Sequence, residues 1–314
     1  TTRCAIQVVT CVVQSSAPQA GTDDLELAPT QLLDGEPDRA VPLLFRLGCS
    51  TVALNHVVTG KPPADVSEIT ARLGRVREAC MAAAPADPGG AKPRILSRVT
   101  VELSDPAVAH LLNGTAPGMK EFDLVAVAPT TEKLWAQSCE KLDVDLISLD
   151  LSKRLPFFVK PKQVNVALDR GIHLEIAYSG AIADGAARRS LISNAIQMVR
   201  ASRQRGIVIS SSAARAMLVR GPYDVANLAR LFGMSPEAAK AAVSINCRAA
   251  VSHGAMRRGT SKGVTAVVPM AGLAPGDEWM VPPDLGDREV PMDEEEDVAA
   301  AAAPADTMTA LPTT

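Results

Sequence analysis

Apolar positions along this chain alternate between two periods, and the alternation sets out the elements. Six short apolar runs read as buried strands: Thr51 to Leu54, Ile95 to Leu103, Phe122 to Val127, Val144 to Leu149, Ile172 to Tyr178 and Ile207 to Ile209. Helical spacing lies between them. Residues 39–47 form a helix ending at Gly48, and residues 65–83 place Ile69, Leu73, Val76 and Cys80 on one face. A short helix follows Asp105, and a longer one runs from Thr130, as its cap, to about Lys141. Residues 161–170 form another, closed by Gly171, which tolerates positive φ. Asp184 caps a helix with Leu191, Ile192, Ala195, Ile196 and Val199 on its apolar face, ended by Gly206. Two helices close the body, one opening at Pro222 and stopping at Gly233, the other capped by Ser235. Strand–helix alternation of this kind predicts a parallel α/β domain, with a TIM-barrel-like (β/α) barrel favoured over an open doubly wound sheet.

The flanks differ from the body. Residues 1–38 form an unplaced leader in which only Ile6 to Val9 is strand-like, and residues 14–38 are rich in Ser, Pro, Gly and acids. Residues 39–262 hold the barrel. Residues 263–314 carry the acidic run Asp293 to Asp297 and an alanine block without apolar period, so disorder is expected there. That tail solubilises the chain, competes with a polyanion for the body or docks a basic partner. A barrel lacking its first strand would leave the Thr51 to Leu54 edge open to aggregation.

Charge follows the same division. The 314 residues have a formal net charge of −3, yet residues 92–262 hold 24 basic against 14 acidic side chains, and residues 263–314 hold Arg288 against 11 acids. A cationic body and an anionic tail cancel. Aromatics make up 3% of the chain, too few for a wide base-stacking platform. No apolar run nears the ~18 residues of a membrane span, so no membrane association is expected.

Catalytic chemistry has little support. The six cysteines include no CxxC pair and, without a signal peptide at the start, fit a reducing compartment. No GxGxxG or GxxxxGK[ST] loop is present. A barrel places its chemistry where strands end, which here means Asn55, His56, Pro129 to Thr131, Asp150, Tyr178, Ser179 and Ser210 to Ser212. One histidine and one carboxylate make a poor metal site. Glu175, inside a strand, either points inward as a ligand or pairs with a buried arginine. The three serines lack a G-x-S-x-G elbow and read as a polar turn.

Arginine gives the stronger signal. Arg188, Arg189, Arg200, Arg203 and Arg205 lie on or just after one helix, Arg215 and Arg220 beyond it, and Arg248 in the last helix, with Arg257, Arg258 and Lys262 following. Guanidinium groups bond phosphate oxygens in pairs, so this set suits a structured RNA. The competing reading is a solvated surface with local ion pairs, such as Arg220 with Asp224. The candidate RNA-binding residues are Arg188, Arg189, Arg200, Arg203, Arg215, Arg220, Arg248, Arg257, Arg258 and Lys262. Asn246 and Arg248, two apart on a helix, do not share a face.

Four segments carry a family resemblance: FDLVAVAPTTEKL from Phe122, VNVALDRG from Val164, RGPYDVANL from Arg220 and AKAAVSINCRAA from Ala239. In this order and spacing they resemble the thirty-kilodalton protein subunit of nuclear ribonuclease P and RNase MRP, over about residues 43–262. The resemblance implies a barrel related to the polymerase-and-histidinol-phosphatase hydrolases without their metal ligands. It implies a non-catalytic, RNA-binding subunit of a ribonucleoprotein that removes 5′ leaders from precursor tRNA, with the MRP particle processing precursor ribosomal RNA. No cofactor is then held by the protein, and magnesium sits on the catalytic RNA. The implied partners are the RNase P/MRP RNA, precursor tRNA through the complex, and other protein subunits. Those include a small α/β subunit, with two copies of the barrel per particle; the implied location is the nucleus and nucleolus. The N-terminus departs from the family, since residues 1–38 lack its acidic first-strand motif, and the chain begins with Thr1. Two other functions stay open on the residues alone: a metal-dependent phosphoesterase on the same barrel, and a module that only docks protein.

Overall fold

The computed structural model describes residues 5–10, 31–33, 37–49, 51–60, 66–83, 94–110, 112, 117–213 and 216–259. The expected acidic tail, Arg215 and Lys262 lie outside them. The first half of the chain gives β1 (Ala5–Thr10), β2 (Gln31–Leu33), α1 (Pro37–Arg46), β3 (Thr51–Thr59), α2 (Ser67–Ala83), β4 (Arg94–Leu103) and α3 (Pro106–His110). Next come β5 (Leu124–Pro129), α4 (Glu132–Glu140), β6 (Leu146–Ser148), α5 (Pro161–Asp169), β7 (His173–Ala177), α6 (Ser179–Ala183) and α7 (Gly185–Ser202). The body ends with β8 (Ile207–Ser210), α8 (Pro222–Leu231), α9 (Pro236–Ala242) and α10 (Ile245–Gly259).

The eight strands among the described residues form one sheet in the order β2-β1-β3-β4-β5-β6-β7-β8. From β3 to β8 every neighbour is parallel and consecutive in sequence. A doubly wound sheet reverses its strand order at a central crevice; this one never does, and it curls until β1 comes near β8. The result is a half-barrel of six parallel strands. The leader supplies β1, which pairs antiparallel with β3 through registers such as Ile6 with His56 and Val8 with Leu54. The Thr51 to Leu54 edge is therefore covered by a strand from the leader, and the exposed edge of a barrel lacking its first strand does not arise.

Alternation along the strands separates two layers. Val52 and Leu54, Val99 and Val101, Val125 and Val127, and Ile207 and Ile209 join the main apolar core beneath the helices. The opposite, concave face carries Asn55, Arg98, Thr100, Ser148, Glu175 and Ser210, all buried. His56 shares the face of Leu54 and Val58 and is 4% exposed in mid-strand, because β3 runs on to Thr59. It is not a strand-end residue.

The local signals place the helices well. Asp184 accepts from the Ala187 N–H and Ser235 from the Ala238 N–H. Thr130 was expected to cap α4, but Thr131 does so, accepting from the Leu134 N–H, while the Thr130 hydroxyl donates to the Leu103 carbonyl. The single last helix expected after Ser235 is two: α9 stops at Ala242 and α10 begins at Ile245, so Arg257 and Arg258 lie inside α10.

Helix α10 crosses the N-terminal ends of β5 to β8. Asn246 Nδ2 donates to the Ile207 carbonyl at the foot of β8 (2.7 Å). His253 Nδ1 bonds Asp145 Oδ1 at the foot of β6 (2.7 Å), and Asp145 Oδ2 accepts from the Val125 N–H. Two glycines permit the close approach. A Cβ on Gly254 would collide with the Asp123 carbonyl oxygen, and Gly171 has φ +80° with His253 Cδ2 2.8 Å from where its Cβ would sit.

Candidate nucleic-acid interface

Glu175 resolves as one half of a buried ion pair. Arg98 Nη1 and Nη2 donate to its two carboxylate oxygens at 2.7 and 2.6 Å, with both side chains 0% exposed. Arg98 Nε donates to Thr100 Oγ1 (3.2 Å), which donates on to Asn55 Oδ1 (3.0 Å). Burial alone would push the Glu175 carboxyl up, but the charge and paired hydrogen bonds of Arg98 outweigh it and hold the group below its ordinary value. The fork geometry of arginine matches a carboxylate, and here it fills the interior with its own counter-ion.

Above this pair the barrel mouth opens into a cavity of about 300 Å³ whose polar lining includes Glu102, Asp150, Ser152, Ser179 and Ser212. Asp150 is paired with Lys153 Nζ at 3.0 Å, and the Ser179 hydroxyl donates to the Ser212 carbonyl at 2.7 Å. Among the described residues no three His, Cys, Asp or Glu side chains converge to hold a metal ion. Tyr178, buried, receives the Arg220 N–H on its hydroxyl (3.0 Å), and burial pushes its pKa well up. These contacts tie the mouth together.

The arginines divide into groups. Helix α7 returns antiparallel to the strands, and Arg189 and Arg200, eleven residues apart, stand about 16 Å apart along it. Arg188 and Arg189 therefore belong to the mouth end, and Arg200, Arg203 and Arg205 to the opposite end. All five are exposed. Arg188 Nε donates to the Ala181 carbonyl and Arg205 Nη2 to Asn165 Oδ1. Arg203 takes a left-handed conformation (φ 53°) as the C-cap of α7.

The remaining candidates are committed inward to different degrees. Arg220 donates to the Met217 and Val219 carbonyls rather than pairing with Asp224. Arg248 is half-buried, and Arg258 Nη1 pairs with Asp123 Oδ1 at 2.7 Å. Arg257 is 9% exposed: its Nε bonds Asp145, and its Nη1 and Nη2 donate to the Met119 and Phe122 carbonyls. With each of its three guanidinium nitrogens bonded within the fold, Arg257 is a structural clamp, and it leaves the set of candidate phosphate ligands. Sequence reasoning missed its partner Asp145 and the His253 that shares that carboxylate, and it missed Arg98. Opposite charges inside two apolar runs, Ile95 to Leu103 and Ile172 to Tyr178, were the available signal for the Arg98–Glu175 pair.

Comparison with known proteins now bears on this geometry. The family model for RNase P subunit p30 matches residues 24–259. The chain belongs to this family. The mouse ribonuclease P protein subunit p30 is 39% identical over 244 residues, covering 75% of this chain and 87% of the relative. The probable ribonuclease P protein subunit 3 of Schizosaccharomyces pombe is 31% identical over 247 residues, covering 79% and 94%. A chain from the cryo-EM structure of archaeal ribonuclease P with mature tRNA has a TM-score of 0.54 at 14% identity, over 74% of this chain and 95% of that one. That likeness shows that the curled half-barrel of the p30 subunit is a fold seen in a solved ribonuclease P.

Proposed function

We propose that this p30 subunit is an RNA-binding, non-catalytic protein of the RNase P and RNase MRP type of ribonucleoprotein, acting in tRNA 5′-leader removal and precursor rRNA processing. The observation that carries the reading is the arginine distribution. Arg189, Arg200 and Arg203 are exposed and make no ion pair among the described residues, while at the mouth Asp150 pairs with Lys153 and the Ser179 hydroxyl with the Ser212 carbonyl. A protein that stabilised a reacting phosphate itself would need convergent ligands or a poised base. Bracing an RNA needs charge at separated points, which α7 supplies at both of its ends.

In this reading RNA with bound magnesium is the catalyst and the protein holds no cofactor. The RNase P/MRP RNA and other protein subunits are the partners, and precursor tRNA is met through the complex. A small α/β subunit is the expected protein neighbour, with two copies of the barrel per particle. The relatives are eukaryotic RNase P subunits, which supports work in the nucleus; nucleolar enrichment is the finer expectation. The residues proposed to meet phosphate are Arg188, Arg189, Arg200 and Arg203, with Arg215, Arg220, Arg248, Arg258 and Lys262 as secondary candidates.

Purification of the tagged full chain, with sequencing of co-purified RNA, tests this directly. Recovery of RNase P or MRP RNA supports the reading, and recovery of neither overturns it. If about four phosphates are neutralised, log K falls against log salt with a slope of roughly −3 to −4.

A further inference from the structure

The loop between β6 and α5 and the flank of α7 enclose a groove of about 620 Å³ that the mouth does not share. We propose that this groove binds an unpaired RNA nucleotide, with its base laid on Phe158 and its phosphates held by Arg154 and Arg189. The inference rests on the RNA-binding role proposed above and assigns it a place and a mode.

Phe158 is 68% exposed, whereas its neighbours Phe157 and Val159 are buried at 8% and 3%. Burial of Phe157 fixes this alternation: its ring stacks on Trp135 with centroids 5.9 Å apart and planes at 30°. Trp135 is held in turn by its Nε1–H, which donates to Gln163 Oε1 (3.0 Å). At the other end of the loop, the buried Asn194 amide on α7 donates to the Leu151 and Lys153 carbonyls at 2.9 and 2.7 Å. The loop is thus pinned on both sides of Phe158. Leaving a phenyl ring in water forgoes roughly 1.5–3 kcal/mol of burial, so a fixed exposed ring is a platform in need of a cover.

Charge selects the cover. Arg154 and Arg189 line the groove, and no Asp or Glu does. Asp184, the N-cap of α7, accepts from the Ala187 N–H and is attracted by the charge of Arg189, but does not line the groove. Ser190, Ser193 and Gln197 complete the polar wall with groups that can bond a base edge. A docked amphipathic helix would need several well-exposed apolar contacts, and the groove offers Phe158 beside exposed Pro156 and half-buried Leu155, neighbours on one short loop. A base within a duplex has both faces covered, whereas an unpaired base offers one to an aromatic side chain. The volume falls in the range of about 300–1,000 Å³ typical of small-ligand sites.

The test measures binding of the full chain to short labelled single-stranded oligoadenylate and to an RNA duplex of equal length. Phe158→Ala should weaken the single strand roughly five- to hundredfold and leave the duplex unchanged. Phe158→Trp should restore binding, and Phe158→Leu should not, which separates stacking from loss of bulk. Arg154→Gln and Arg189→Gln should each reduce the single-strand salt slope by about 0.7. Unchanged oligoadenylate affinity in Phe158→Ala overturns the inference, and so does release of a protein subunit from the tagged particle by Phe158→Ala without loss of oligoadenylate binding. The second result would make the groove a protein-docking site. Both leave the subunit role standing if the tagged wild type still recovers RNase P or MRP RNA; absence of that RNA defeats the broader reading instead.

Discussion

Removing either partner of the Arg98–Glu175 pair should destabilise the fold, but the two losses should respond differently to pH. The bonds at 2.7 and 2.6 Å lie at 0% exposure, and truncating one member of such a pair costs about 3–5 kcal/mol. Glu175→Gln strands a guanidinium that cannot lose its proton, so the deficit relative to wild type should stay constant between pH 5 and 8. Arg98→Met strands a carboxylate that can take one up. Without the cation, burial raises the folded-state pKa above the unfolded value of about 4.3, so the variant loses stability as pH rises through that interval. The Arg98→Met deficit should therefore be about 1.5–2 kcal/mol smaller at pH 5 than at pH 8, given a pKa raised by roughly two units. The double variant Arg98→Met/Glu175→Leu should recover to within about 2 kcal/mol of wild type. In the wild type Glu175 is depressed, so its own contribution is lost only as pH falls below about 4.3. Urea unfolding followed by far-ultraviolet circular dichroism gives each difference from the midpoint and slope. An Arg98→Met deficit that does not change with pH, or a double variant no better than the singles, would refute this account of the interior.

Arg257→Ala should cost about 3–5 kcal/mol, since it leaves buried Asp145 without its guanidinium, whereas Arg200→Ala or Arg203→Ala should cost less than about 0.5. The exposed pair should instead each lower the salt slope for structured RNA by about 0.9, read in a filter-binding titration. Gly254→Ala drives a methyl against the Asp123 carbonyl and should destabilise by about 1–3 kcal/mol, with Ser252→Ala as a milder control on the same helix. Burial lowers the His173 pKa to about 4, with nearby His253 adding to the shift against the Gly171 hydrogen bond. The unfolded chain protonates at about 6.5 and the folded one does not, so stability should fall by up to about 3 kcal/mol between pH 6.5 and 4. His173→Gln should flatten that slope in urea melts; an unchanged slope would assign it to other groups.

Much of the scaffold was legible because its signals are local. Asp184, Ser235 and Gly171 act within three or four residues of themselves, and the apolar runs carry their own period. The interior was half legible: Glu175 stood out as a charge inside an apolar run, but pairing it with Arg98, 77 residues away, required the strand register. The arginines were legible as a composition and not as an arrangement. No local pattern distinguishes exposed Arg200 from buried Arg257, because burial is decided by Asp145 and two carbonyls more than a hundred residues upstream. Phe157 and Phe158 are identical in local sequence, and only the Trp135 ring decides which of them faces solvent.

The placement of α10 has a consequence for the newborn chain. Its bonds to Asp145 and Met119 span 112 and 138 residues, so the loops it secures leave the ribosome long before the helix does. At roughly 5–20 residues per second, Asp145 waits about 6–22 seconds for Arg257. Through that interval the carboxylate cannot be buried without its cation, and the strand feet stay wet. Closure is therefore a late, post-strand event, and a ribosome stalled before residue 253 should display a protease-sensitive chain whose sheet hardens only when the final helix arrives.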